Sequence, residues 1–121
     1  MVIYRLGSKD EEYISSVCTT LQRINSVLEK ANAHVGYRVR DEIVFYMLNN
    51  RESGLLEETV AFDNQIMQKI LPRIQGSSEA IKAMLEELLK VCASEKYTAS
   101  EEKINFMIKR YEEDGFTSYW L

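Results

Sequence analysis

Ile14-Ser15-Ser16-Val17-Cys18-Thr19-Thr20-Leu21-Gln22-Arg23-Ile24-Asn25-Ser26-Val27-Leu28 decides the fold class. Its apolar positions Ile14, Val17, Leu21, Ile24 and Leu28, continued by Ala31, recur at steps of three and four. That spacing lays one apolar stripe along a helix and leaves Gln22, Arg23, Glu29 and Lys30 off it. A helix with one such stripe is stable only against partners, so the rest of the chain must supply them. The first helix is expected from about Lys9 to Ala33, with Ser8 and Glu11 at capping-box spacing. Met1 to Leu6 is too short to assign and is compatible with a strand.

The chain downstream repeats the pattern. Asn32 to Gly36 interrupts it, and a second helix is expected from about Tyr37 to Asn49 with Val39, Ile43, Tyr46 and Met47 inward. Asn50 to Gly54 reads as a loop. Leu55 to Ile74 is expected to be helical in whole or part, with Val60, Met67, Ile70, Leu71 and Ile74 on one face. Asp63 falls on that face, where an unpaired carboxylate is costly. Two readings stand open: it caps a helix that begins at Asn64, or it pairs with a buried arginine. Pro72 lacks an N–H and disfavours helix at Leu71, so the helix ends or kinks there, with Gly76 as a stop. A fourth helix is expected from about Ser78 to Cys92, with Ile81, Met84, Leu85, Leu88 and Cys92 inward and Ser77 or Ser78 as cap. A fifth follows Thr98, with Glu101 at capping-box spacing, the stripe Ile104, Met107, Ile108 and Tyr111, and Gly115 at its end. The tail Phe116 to Leu121 is aromatic and suited to fold back as an edge strand. The expectation is an all-α fold: one compact bundle of about five helices, with room for a short terminal strand pair.

At 121 residues the chain has the size of one domain. Apolar residues make up 45% and charged residues 28%, which excludes a disordered or collagen-like chain. The longest apolar run falls well short of the about 18 residues of a membrane span. A net charge of −4 argues against nucleic acid as the main partner. Cys18 and Cys92 lie inside apolar helical patterns and read as reduced structural thiols, which points to the cytoplasm.

Self-contained chemistry is hard to find. No glycine begins a phosphate loop of the Walker type, and no Gly-x-Gly-x-x-Gly occurs. His34 is the sole histidine, which excludes the two-histidine zinc motifs and reads as a turn or surface residue. Glu57–Glu58, Glu86–Glu87, Glu101–Glu102 and Glu112–Glu113–Asp114 are neighbours in sequence. Adjacent helical residues point about 100° apart, so these carboxylates form a solvated face rather than an acid–base pair.

Gly36-Tyr37-Arg38-Val39-Arg40-Asp41-Glu42-Ile43 stands apart. Two arginines sit in the first turn of a helix, where the macrodipole disfavours positive charge. Asp41 or Glu42 can compensate Arg38; otherwise an arginine is placed there to meet an anion. This segment resembles the helical lid that follows the core of McrB-like AAA+ NTPases, the GTPase or ATPase motor subunits related to modification-dependent restriction systems. Phe62-Asp63-Asn64-Gln65-Ile66-Met67-Gln68-Lys69-Ile70-Leu71-Pro72-Arg73-Ile74-Gln75-Gly76 is similar to the same family, as is Lys103-Ile104 through Gly115-Phe116-Thr117-Ser118-Tyr119-Trp120. The resemblance spans the chain from about Glu11 onward, and the Gln-Lys-Ile-Leu-Pro-Arg-Ile-x-Gly run is its most specific part.

The resemblance implies a non-catalytic lid, the C-terminal piece of a larger motor. Its phosphate loop, magnesium-binding acidic motif and first sensor would precede this stretch. This stretch itself would hold no cofactor, while the parent would use a nucleotide and magnesium. It also implies that Arg38 reaches the γ-phosphate as a second sensor once the lid meets its core, with Arg40 in reserve. The implied partners are the core domain of the same chain and neighbouring ring subunits, and Lys69 and Arg73 are expected at such a subunit contact. Two other classes compete: a stand-alone helical adaptor using Tyr119 and Trp120, and a nucleic-acid module using Arg38, Arg40 and Arg51.

Overall fold

In the computed structural model, which describes residues 8–120, the apolar stripes become five α-helices and a two-stranded ribbon. The helices are α1 (Ser8–Leu28), α2 (Tyr37–Ser53), α3 (Glu58–Gln65), α4 (Glu79–Ser94) and α5 (Thr98–Asp114). Strands β1 (Gln75–Gly76) and β2 (Thr117–Ser118) pair antiparallel, Gln75 opposite Ser118 and Gly76 opposite Thr117. The stretch Met1–Leu6, too short to assign above, and the side chain of Ser8, expected as a cap, lie outside the described residues.

The helices close a ring. α1 packs on α2 and α4, α2 on α3, α3 on α5, and α5 on α4. The centre is filled by Ile24 and Leu28 of α1, Ile43 and Met47 of α2, Met84, Leu85 and Leu88 of α4, and Ile104 and Met107 of α5, all fully buried. Burying one such side chain stabilises by roughly 1.5–3 kcal/mol, so the ring holds itself without a cross-link. Both cysteines are free. No helix among the described residues is long and apolar enough to cross a membrane.

Chain reversals follow local stereochemistry. α1 tightens into a 3₁₀ turn, Glu29–Ala31, and Asn32 then takes a left-handed conformation (φ 55°). The N–H of Ala33 donates to the Leu28 carbonyl at 3.0 Å, a bond that closes a helix end. α4 ends alike: Lys96 is left-handed and the N–H of Tyr97 reaches the Cys92 carbonyl at 2.8 Å. α2 is one turn longer than the periodicity suggests. Asn50 to Ser53 continue the helix, which stops at Gly54 (φ 64°). The Asn50 side chain then bonds both the N–H and the carbonyl of Leu56, fixing the descent into α3.

The third helical region departs most from expectation. α3 begins at Glu58, not Asn64, and buries Ala61, Phe62 and Asp63. Val60, expected inside, is 44% exposed. From Ile66 to Ile70 the helix widens into a π turn, and the N–H of Leu71 donates five residues back to Ile66. A 3₁₀ turn, Leu71–Arg73, follows. Pro72 has no N–H for the regular ladder, so the chain changes pitch here instead of ending outright. The wider ring rotates the later residues, and Ile66, Ile70, Leu71 and Ile74 all stay buried.

Asp63 takes neither role proposed for it. Its carboxylate accepts the N–H groups of Ala99 and Ser100 at 2.9 Å each, together with the Ser100 hydroxyl. These are first-turn donors of α5, which has no side-chain cap of its own; Thr98 does not form the expected box. A buried carboxylate on α3 therefore caps a distant helix, through a bond to Ala99 that spans 36 residues of chain. Ser78 does cap α4, accepting from the N–H of Ile81. The tail folds back as expected: the Thr117 hydroxyl, fully buried, donates to the Met107 carbonyl at 2.8 Å.

Candidate functional site

The site with the most chemistry lies where α1 hands over to α2. Asn25 of α1 clamps the connecting loop: its amide oxygen accepts the N–H of Val35 at 2.7 Å and its amide nitrogen donates to the Val35 carbonyl at 3.0 Å. Val35 itself is buried. This two-point hold sets the place where α2 starts. Gly36 precedes the helix in an extended conformation and offers no side chain to cap it. No acidic residue occupies the first turn. The free N–H groups and positive dipole end of α2 therefore face outward with two arginines beside them.

Those arginines differ. The Arg38 side chain is 93% exposed, and its Nε lies 3.6 Å from Glu42 Oε1. Arg40 pairs with Asp41 at 3.1 Å, and its guanidinium carbon lies 4.7 Å from the Tyr37 ring centroid. Tyr37 is 76% exposed. Behind Arg40 opens a cleft of about 560 Å³, lined by Cys18, Gln22, Asn25, His34, Tyr37 and Arg40 among others. His34 is thus on the surface, as expected of a turn residue.

Glu42 ties this end to the π turn. Its second carboxylate oxygen accepts from Lys69 Nζ at 2.8 Å. The Lys69 hydrogen bond and charge, with a smaller contribution from Arg38, hold the Glu42 carboxyl below the usual carboxylate range. Lys69 thus turns toward α2 of its own chain, whereas Arg73 in the 3₁₀ turn is exposed. Lys69 lies within the π turn and Arg73 within the 3₁₀ turn that follows, so they do not share one regular helical face.

Other sequence candidates disperse. Cys92 is buried, and desolvation pushes its thiol up to about 12; Cys18 lines the cleft. The acidic neighbours form surface pairs: Lys82 with Glu86 and Glu112, Arg110 with Asp114, and Lys30 with Glu87. Among the described residues no group of three or more His, Cys, Asp or Glu side chains gathers to hold a metal ion. The Asn25 clamp was missed from sequence, because a polar residue beside an apolar stripe looks like any solvated position.

Fold and site together define a helical domain that presents an arginine-bearing helix start beside a mixed cleft. The chain belongs to the DUF8727 family, a domain of unknown function, which matches it over residues 3–116. No curated protein and no solved structure matches it.

Proposed function

We propose that this domain is the non-catalytic helical lid of an McrB-like AAA+ NTPase, closing over a nucleotide held by a core domain and adding to contacts between ring subunits. Arg38 carries the reading: a 93% exposed guanidinium in the first turn of a helix that has neither a side-chain cap nor a carboxylate in that turn. Such an end favours an anion, and the planar guanidinium fork matches phosphate oxygens. Glu42 offsets the charge only in part, since it sits at 3.6 Å and is shared with Lys69. Arg40, partnered by Asp41 and stacked on Tyr37, is the reserve contact.

The nucleotide and its magnesium would be held by the core, and the domain would work in the cytoplasm without binding nucleic acid directly. Arg73 is the better candidate for a subunit contact, because Lys69 already has Glu42. Charge reversal at Arg73 should weaken ring assembly, read by sedimentation; an unchanged oligomer counts against that role. The test of the main reading is Arg38→Ala in the complete motor. Nucleotide hydrolysis should fall by about 100-fold, as when one charge-stabilising donor is removed from a transition state. Unchanged hydrolysis and unchanged nucleotide affinity would sink it.

A second reading, a helical adaptor that binds protein, is favoured by one observation. Phe106 and Trp120 are exposed on the side of the molecule that carries α5 and the tail.

A further inference from the structure

From Lys103 to Tyr111 α5 carries Lys103, Lys109 and Arg110 and no acid, although the whole chain has net charge −4. Carboxylates resume on both sides, at Glu101–Glu102 and at Glu112–Glu113–Asp114. Lys103 and Arg110 lie over the ring of Phe106, which is 47% exposed, and Lys109 shares its groove. Lys103 Nζ lies 5.2 Å from the Phe106 ring centroid and 4.6 Å from that of Tyr119. The Arg110 guanidinium lies 6.0 Å from Phe106 and has a long contact to Asp114 at 3.8 Å. Lys103 and Lys109 form no ion pair among the described residues. Between these groups runs an open groove of about 610 Å³, with Met67, Phe106, Glu102, Lys103 and Lys109 along it. Trp120, 74% exposed, stands edge-on to Tyr119 at 5.0 Å.

Cations held over ring faces in place of carboxylates leave their charge available to an incoming anion. The apolar floor asks for an apolar side chain from the same ligand. We propose that this face of α5 docks a short acidic segment of a partner protein, with carboxylates on Lys103 and Lys109 and one aliphatic or aromatic side chain against Phe106 and Met67. Length favours a peptide over a nucleic-acid strand. The nine-residue basic window is about 13 Å long at the helical rise, which matches about four residues of extended peptide. A strand of phosphates running further along α5 would meet the carboxylates that flank the basic window at both ends. This surface is independent of Arg38 and of the nucleotide reading.

Trp120, the single tryptophan, stands against Tyr119, whose ring lies under Lys103, so its fluorescence is the readout. The chain is titrated with a short capped peptide of core Asp-Leu-Phe-Asp, with the same peptide carrying Lys for Asp, and with oligodeoxythymidine. The acidic peptide should change Trp120 fluorescence and bind in the micromolar to sub-millimolar range, and the basic peptide should not. Lys103→Glu with Lys109→Glu should weaken binding at least about tenfold, as loss of complementary charge does. Should the double variant fail to fold by circular dichroism, Lys109→Glu alone, at an exposed position with no ring contact, should still weaken binding severalfold. Absence of acidic-peptide binding up to millimolar concentration, indifference to charge reversal, or tighter binding of oligodeoxythymidine each overturns the proposal.

Discussion

Asp63 joins two helices through one carboxylate: it leaves the solvent on α3 and replaces the missing cap of α5. Asp63→Ala should cost about 2 kcal/mol, because the lost cap leaves amide donors unpaired and a charged acceptor is removed. Urea unfolding measures the loss, and hydrogen exchange should place it at Ala99 and Ser100. The sequence marked Asp63 as out of place on an apolar face, and that signal was sound. Its partner was illegible because backbone N–H groups carry no residue signature, and these lie far along the chain. Cys92 illustrates the opposite case. Its place in an apolar stripe already indicated a buried, inert thiol, and burial raises it to about 12. A disulfide-exchange reagent at pH 8 should therefore modify Cys18 in the native protein and reach Cys92 only on unfolding.

At the scale of elements, α1, α4 and α5 were legible because strict three-and-four spacing leaves one solution for which side is buried. α3 was not. Its π turn changes the residues per turn midway, so a single helical phase drawn through Val60 and Ile74 puts Val60 on the wrong side. α2 overran its expected end because Asn, Arg, Glu and Ser are turn residues only when no cap follows, and Gly54 supplies one. Gly54→Ala should cost about 1 kcal/mol, the penalty for a β-carbon at φ 64°, measured as a lower denaturation midpoint. The Glu42–Lys69 pair links α2 to the π turn. Glu42 titrates low in the folded chain, so its contribution is present above the ordinary carboxylate range and is lost as pH falls through the depressed value. Both side chains are more than a third exposed, which keeps the effect on stability small. Lys69→Met should raise the Glu42 titration midpoint in a carboxyl carbon NMR experiment. An unmoved midpoint would show that Lys69 is not its dominant partner.

The described residues form a closed ring of helices whose stability comes from its centre, and the two surfaces proposed to bind ligands lie outside that centre. Leu85→Ala, at a fully buried position of α4, should cost about 2–5 kcal/mol in calorimetry or urea unfolding. The five-helix plan with its short strand pair was readable because the stripes, caps and glycine stops agree with one another. The two surfaces were less so. Arg38 drew attention through its unfavourable place at a helix start, whereas the α5 surface depends on a tail that brings Tyr119 back over Lys103. Such tertiary return leaves only a faint mark in sequence, the nine-residue basic window in an acidic chain. Under the lid reading proposed above, Arg38 meets a nucleotide phosphate when the domain sits on its core. The direct measurement is steady-state nucleotide hydrolysis by the complete motor with Arg38 and with Arg38→Ala, assembly being checked in parallel. A fall of about 100-fold with assembly intact is the predicted result; hydrolysis and nucleotide affinity equal to those of the parent would contradict it.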